Sequence, residues 1–372
     1  MVTAGCAAAL TNATAACIAG ADPEKMQRLP YLSGLKNEVI MPRSSRNVYD
    51  HAVRMLGVRI VEVDTREQFV AALSEKTAMV CVLAGPSDKF LEQIAAPARE
   101  RGVPILVDAA AEHLTIPNVH LQRGATMAAY SGGKCIRRPQ CAGLLLGPKD
   151  LLQAAWLNSA PHHAFGRSLK VGKEEIMGML AAVEMLTKRD HDAERKTWES
   201  WLAHIAGRAS KVPTVQTQVL QPEGLSNRSP RLRISWDAAK VGINGAQLEK
   251  VLYEGEPRII LGGSSGGGRR APGGESSITI MPYMMIPGDE KVAAERILAV
   301  LSKPPRQEPE PAPGAPTSVA GQWDLQVQFV RGAADHGLFL EQEGANLTGT
   351  HKGDLLAGDG LDGIEPAAVE KP

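Results

Sequence analysis

The sequence predicts an α/β protein: a mostly parallel central sheet with helices on both faces, then a smaller α+β C-terminal domain and a short β tail. Three observations carry that expectation. Strand-like and helix-like segments alternate through the first 150 residues, as parallel strands joined by helical crossovers require. After Asp150 the texture changes to long helical stretches with isolated strands. A Pro-rich stretch, "KPPRQEPEPAPGAPTS" (303–318), reads as an extended linker before a tail of short, glycine-punctuated strands.

The elements follow in order. "TAGCAAAL" (3–10) is a glycine turn that feeds an Ala-rich helix over 5–19. "NEVIMP" (37–42) is a short apolar strand. "NVYDHAVRMLG" (47–57) reads as a helix closed by Gly57. "VRIVEV" (58–63) alternates as a strand, "REQFVAALS" (66–74) is helical, and "TAMVCVLAG" (77–85) is a buried strand. "KFLEQIAAPARERG" (89–102) is a helix that Gly102 ends, and "PILVDAA" (104–110) is a strand finishing in an acid, Asp108. "TMAAY" (126–130) supplies one more strand. Further on, 173–210 predicts two helices or one bent helix. "RLRISWD" (231–237) and "SSITIMPYM" (276–284) are strands; 244–255 and 290–302 are helices. In the tail, "GQWDLQVQFV", "GLFLEQEG" and "NLTGTHKG" read as strands, too few for a good core of their own. The expected organisation is a large domain over 1–160, connecting helices and a small α+β domain over 161–302, a linker over 303–318 and a partial β module over 319–372.

Composition narrows the function classes. Hydrophobic residues make up 44% and charged residues 22%, a globular profile, and the 41 basic residues are balanced by 41 acidic ones. Nucleic-acid binding usually leaves a basic excess, so no nucleic-acid partner is expected. The five cysteines are Cys6, Cys17, Cys81, Cys135 and Cys141. They show no Cys-x-x-Cys spacing, so reduced thiols in a cytoplasmic compartment are expected, without a metal site. The small, apolar N-terminus lacks the positive leading region of a signal peptide. No segment reaches the ~18–20 uninterrupted apolar residues of a membrane span, so no membrane partner is expected.

The chemistry centres on "AAYSGGKCIRRPQCAGLLLGP" (128–148). Here Lys134 stands between a Ser-Gly-Gly turn and an apolar strand. Lysine is rarely buried unless paired or chemically used. An amine in a pocket can form a Schiff base with an aldehyde, and pyridoxal phosphate is the usual one; its enzymes pair that lysine with an acid at the pyridinium nitrogen. Asp108 ends a strand next to the one that leads to Lys134, and ligands of parallel sheets bind at the carboxyl ends of strands. Gly5, Cys6 and Ala7 open a helix with small residues, which lets backbone N–H groups and the helix dipole meet a phosphate. Ser131 can add a hydroxyl. Each feature alone has a plainer reading: helix packing at 5–7, a cap or salt bridge at Asp108, a solvated loop lysine at 134. Their order along the chain is what points to chemistry.

"VDAAAEHL", "YSGGKCIRRPQCAGLLLG" and "GRSLKVGKEEIMGMLAAVE" resemble the fold type I pyridoxal-phosphate enzymes related to selenocysteine synthase (seryl-tRNA selenium transferase), in particular the branch with D-glucosaminate-6-phosphate ammonia-lyase-like proteins. The resemblance spans roughly residues 1–302. It implies pyridoxal 5'-phosphate carried by Lys134, with Asp108 as the strand-end acid, and a homodimer or higher homo-oligomer. It also implies several dozen residues ahead of the anion turn, so the N-terminal part of the large domain is expected to be missing here. The tRNA-binding equipment of the selenium transferases is not found. Segment 41–54 is where a ring-stacking side chain is expected; it offers Ser45 beside Arg46, and His113 is the substitute candidate, a loop histidine being the alternative. Arg137, Arg138, Arg167, Lys170 and Lys173 form a basic set, and Arg137 and Arg167 are the candidates for binding an anionic amino-acid-like substrate. "LGGSSGGGRRAPGG" (261–274) lacks the Gly-Lys-Ser/Thr ending of a phosphate loop and reads as a flexible loop or lid. The expected reaction is α,β-elimination by a lyase. The alternatives are a transferase and a non-catalytic scaffold.

Overall fold

The computed structural model describes residues 1–85, 88–137, 139–261, 275–305, 318–329, 332–343 and 346–353. The chain divides into two units, Met1–Pro305 and Arg306–Pro372. In the first, a seven-stranded sheet is built from β1 (Val2–Thr3), β2 (Glu38–Pro42), β3 (Arg59–Val63), β4 (Thr77–Leu83), β5 (Ile105–Asp108), β6 (Met127–Ser131) and β7 (Gly143–Leu146). Its order is β1-β7-β6-β5-β4-β2-β3. The strands from β6 to β3 run parallel, whereas β7 and β1 are antiparallel additions at one edge. The parallel strands are near-continuous apolar runs because both faces are covered. One face packs on α1 (Cys6–Ala19), where Ala9, Leu10, Ala13 and Ala16 meet Met79, Leu106 and Met127. On the other face Leu91 and Ile94 of a helix over Asp88–Glu100 meet Val82, Ile105 and Val107.

The alternation of strands and helices is as expected, but individual elements differ. The helix expected over 47–57 is a 3-10 turn at Val48–Asp50 followed by a short α-helix, α2 (His51–Arg54). Asn47 caps the turn by accepting from the Tyr49 N–H, and Gly57 closes the segment with a φ of 81°. The strand expected over 276–284 stops at Ile280, where Met281-Pro282 breaks the ladder. The two-residue β1 was not anticipated; its Met1 ammonium donates to the Leu145 carbonyl at 2.8 Å.

The long helical stretch resolves into two helices, α3 (Lys173–Lys188) and α4 (His191–Ala209), broken at Arg189-Asp190, where Asp190 caps the second. An antiparallel three-stranded sheet of β8 (Gln216–Leu220), β9 (Arg231–Asp237) and β10 (Glu275–Ile280) follows, in the order β10-β9-β8. Its core joins Leu232, Ile234, Trp236 and Ile278 to Leu202 and Ile205 of α4 and Ile297 of a helix over Asp289–Ser302. In the second unit, β11 (Gly321–Phe329), β12 (Gly332–Glu343) and β13 (Asn346–Gly353) form an antiparallel meander. Arg138, most of the glycine-rich loop (262–274), most of the Pro-rich linker (306–317) and residues 354–372 lie outside the described residues.

Candidate active site

The carboxyl ends of β5 and β6 and the start of α1 converge. Asp108 is the last residue of β5, in register with Leu83 of β4 and Ala129 of β6. It is 7% exposed. Its Oδ1 accepts from the Ala110 N–H at 3.1 Å and from the Cys6 thiol at 3.5 Å. Among the described residues nothing bonds to Oδ2 and no salt bridge reaches the carboxylate. Burial raises the Asp108 pKa; the Ala110 and Cys6 bonds and the charge of Lys134 oppose that rise only in part. Burial, reinforced by Asp108, likewise raises the Cys6 thiol well above its usual range.

Lys134 sits two residues past the β6 end of a turn over 132–136 and is half-buried. It lies within electrostatic reach of both Asp108 and Cys6. The helix start is shaped for close approach. Gly5 has a φ of 99° and no side-chain cap, and a Cβ there would meet open space. The first amides of α1 have no carbonyl in the preceding turn to bond. Gly143 of β7 supports this turn from below: a Cβ on it would stand 2.4 Å from the Gly5 carbonyl carbon. Register carries Ser131 to the same place, since it pairs with Gly143 and Gly143 pairs with Thr3.

A cavity of about 460 Å³ opens beside Lys134 and is also lined by His113, Arg137, Trp198, Arg228 and Tyr283. The two arginines predicted for substrate fare differently. Arg137 lines the cavity but is engaged: its guanidinium pairs with Glu194 and stacks 4.7 Å from the Trp198 ring centroid. Arg167 is exposed on the segment beside Gly166 and does not line the cavity. Lys170 and Lys173 do not line it either. His113 is half-buried and meets His191 edge-on, with ring centroids 4.8 Å apart. Burial lowers its pKa, and His191, Arg228 and Arg137 add to the effect.

In segment 41–54, Ser45 is buried and accepts from the Leu83 N–H at 2.9 Å, and Arg46 is tied to Asp50 and Glu62. The aromatic that reaches the site is Tyr49, whose ring centroid is 5.8 Å from the Lys134 Nζ. The signal for it was available: Tyr49 is the one aromatic ring of Phe, Tyr or Trp type in that segment. Among the described residues, no group of three or more His, Cys, Asp or Glu is placed to hold a metal ion. No described helix is long and apolar enough to cross a membrane.

This arrangement belongs to a known class. The chain is a member of the pyridoxal-phosphate-dependent enzymes of fold type I, and pyridoxal phosphate is the cofactor of that family. It is 30% identical over 276 residues to D-glucosaminate-6-phosphate ammonia lyase of Salmonella typhimurium, covering 69% of this chain and 71% of that protein. It is also 30% identical over 278 residues to 5'-C-glycyluridine monooxygenase-decarboxylase of a Streptomyces species, covering 69% of this chain and 67% of that one. L-seryl-tRNA(Sec) selenium transferase of Proteus mirabilis matches over 104 residues at 29% identity, 25% of this chain and 21% of that protein. The solved structure of D-glucosaminate-6-phosphate ammonia-lyase superposes with a TM-score of 0.68 at 25% identity, covering 81% of this chain and 80% of that one. No family model matches the chain.

The residues present fit the cofactor. A buried carboxylate with one oxygen unbonded and a raised pKa suits a pyridinium N–H, and an uncapped glycine-opened helix start suits a phosphate.

Proposed function

We propose that the chain is a lyase that removes water and then ammonia from an anionic, β-hydroxylated amino acid or amino-sugar acid, giving a 2-keto acid. The observation that carries the reading is the convergence of the α1 start, Asp108 and Lys134 on one corner of the sheet. The relative named for an ammonia-lyase reaction, similar over 71% of its own length, supports it.

When bound, the cofactor supplies an electron sink for the bonds at the substrate's α-carbon. The chain's residues do the rest. Lys134 would hold the cofactor through its side-chain amine, and that amine, when free, would be placed to take the substrate's α-proton as general base. Asp108 would be the group that holds a proton on the cofactor's ring nitrogen. The N–H groups of Cys6 and Ala7, at the glycine-opened helix start, would hold the phosphate together with the Ser131 hydroxyl. His113 lines the cavity beside Lys134, and the Tyr49 ring lies 5.8 Å from the Lys134 Nζ. The β-hydroxyl leaves as water, and the resulting enamine takes up water and releases ammonia, so the overall reaction neither oxidises nor reduces the substrate. In this reading residues 1–160 hold the cofactor and 161–302 form the smaller lobe.

The test incubates the cofactor-loaded protein with β-hydroxy amino acids and 2-amino sugar acids and measures ammonia and 2-keto acid in equal amounts. Release of carbon dioxide instead would favour the reaction type named for the Streptomyces relative. Lys134→Ala is expected to lose both the visible absorbance of the bound cofactor and all turnover. A variant retaining both excludes the lysine assignment.

A further inference from the structure

Of the cations lining the cavity, most are already engaged. Arg137 is paired with Glu194, Arg195 with Asp192 at 3.4 Å, and Arg189 has a partner too. Arg228 differs: among the described residues its side chain makes no hydrogen bond and no ion pair. The next residue, Ser229, also lines the cavity and is 3% exposed, yet among the described residues its hydroxyl has no hydrogen-bond partner. A buried hydroxyl without a partner costs stability, so one on a residue that lines a cavity, next in the chain to an exposed guanidinium without an ion pair, is a candidate to meet a ligand.

The segment that carries the two residues is held firmly. The His113 N–H donates to the Leu225 carbonyl and the Asn227 N–H to the Ala111 carbonyl, both at 2.9 Å, with Glu112 bridged to Ser226 between them. The Cys135 sulfur, adjacent to Lys134, accepts from the N–H groups of Asn227 and Arg228 while its thiol donates to the Ala111 carbonyl. Asn227 sits at a φ of 44°, a left-handed conformation that asparagine tolerates better than most residues. These bonds tie the segment to both the loop after Asp108 and the lysine turn, so the backbone that carries the exposed Arg228 and the buried Ser229 is set before a ligand arrives.

We propose that Arg228 and Ser229 form an oxyanion subsite that holds the charged end of the substrate, in the cavity that Lys134 enters. Arginine and a hydroxyl together match the oxygens of a carboxylate or a phosphate. The cavity volume of about 460 Å³ is within the usual range for small-molecule sites. The proposal rests on the lyase reading for the identity of the ligand as substrate, and it moves substrate recognition from Arg137 and Arg167 to residues of the β8–β9 connection.

The test titrates the full-length, cofactor-loaded protein with inorganic phosphate in one arm and malonate in the other, by calorimetry. The arm that binds more tightly identifies the anion type. Arg228→Gln is expected to weaken that binding at least about tenfold, Arg228→Lys less, and Ser229→Ala about threefold. The same samples are checked by circular dichroism for folding and by the visible absorbance of the cofactor. Unchanged affinity in either the glutamine or the alanine variant, or no binding of either anion, overturns the subsite. Missing cofactor absorbance in the unaltered protein instead sinks the lysine assignment, while the dependence of affinity on Arg228 still reads the subsite.

Discussion

Asp50 and Asp108 are two buried carboxylates that line the same small void, and the protein treats them in opposite ways. Asp50 is clamped: Arg54 Nε reaches one oxygen at 2.7 Å and Arg46 Nε the other at 2.5 Å. Burial pushes its pKa up, but the bonds from Arg54 and Arg46 outweigh that and hold it below the usual carboxylate range. Among the described residues Asp108 has only a thiol and an amide on one oxygen, and burial leaves its pKa raised. One acid is finished by the fold, and the other is held in place but left short of a cation. A buried acid short of its cation is what a charged cofactor atom would complete, and an unpartnered one in the apoprotein is a cost.

The contrast can be broken most severely at the chemistry. Asp108→Asn is expected to lower turnover at least about a thousandfold, equivalent to about 4 kcal/mol of transition-state stabilisation, whereas Asp50→Asn leaves the cofactor's binding groups in place. Steady-state kinetics on both variants measure this. Similar losses would erase the distinction between the two acids.

Stability should show the reverse order. Asp50→Ala is expected to cost about 2–3 kcal/mol, the range for losing charged hydrogen bonds at a buried acceptor, read by urea denaturation of the apoprotein. Asp108→Asn is expected to raise apoprotein stability on the order of 1 kcal/mol, as relief of a strained functional group commonly does.

The pH dependence sharpens the comparison further. Asp50 has a folded pKa below its unfolded value, so its contribution is complete above the unfolded value of ~3.9 and is lost as pH falls through the folded one. Asp108 has a folded pKa above its unfolded value, so the folded state binds the extra proton. Its cost to the apoprotein grows as pH rises from ~3.9 through the folded pKa. Melting curves of the apoprotein across that window should fall with pH for the unaltered chain relative to Asp108→Asn, and Asp50→Ala should flatten the acid limb. Parallel curves would contradict the assigned directions.

The smallest expected effect lies on the cavity wall. Glu194→Gln breaks the partly exposed pair with Arg137 and should cost about 0.5–1 kcal/mol, because the Arg137 guanidinium keeps its stacking on Trp198.

Much of this was legible in the chain. The helix at 5–19, the strands at 77–85 and 104–110 and the lysine turn follow from apolar periodicity, glycine punctuation and an acid at a strand end, all of which act over a few residues. The two-residue β1 and the polar β8, "QTQVL", carry too little periodicity to read. The helix expected over 47–57 shrank because Asn47 bonds its own turn and Arg46 and Arg54 converge on Asp50.

Local patterning and strand direction are enough to set the α/β class, the strand-end Asp108 and the position of Lys134 after a Ser-Gly-Gly turn. Which charges are already spent depends on how distant segments pack together. Arg137 is neutralised by Glu194, 57 residues away, and among the described residues no ion pair reaches the Arg228 side chain. Ion pairing is a through-space property, and a list of basic residues cannot say which of them the fold has already matched.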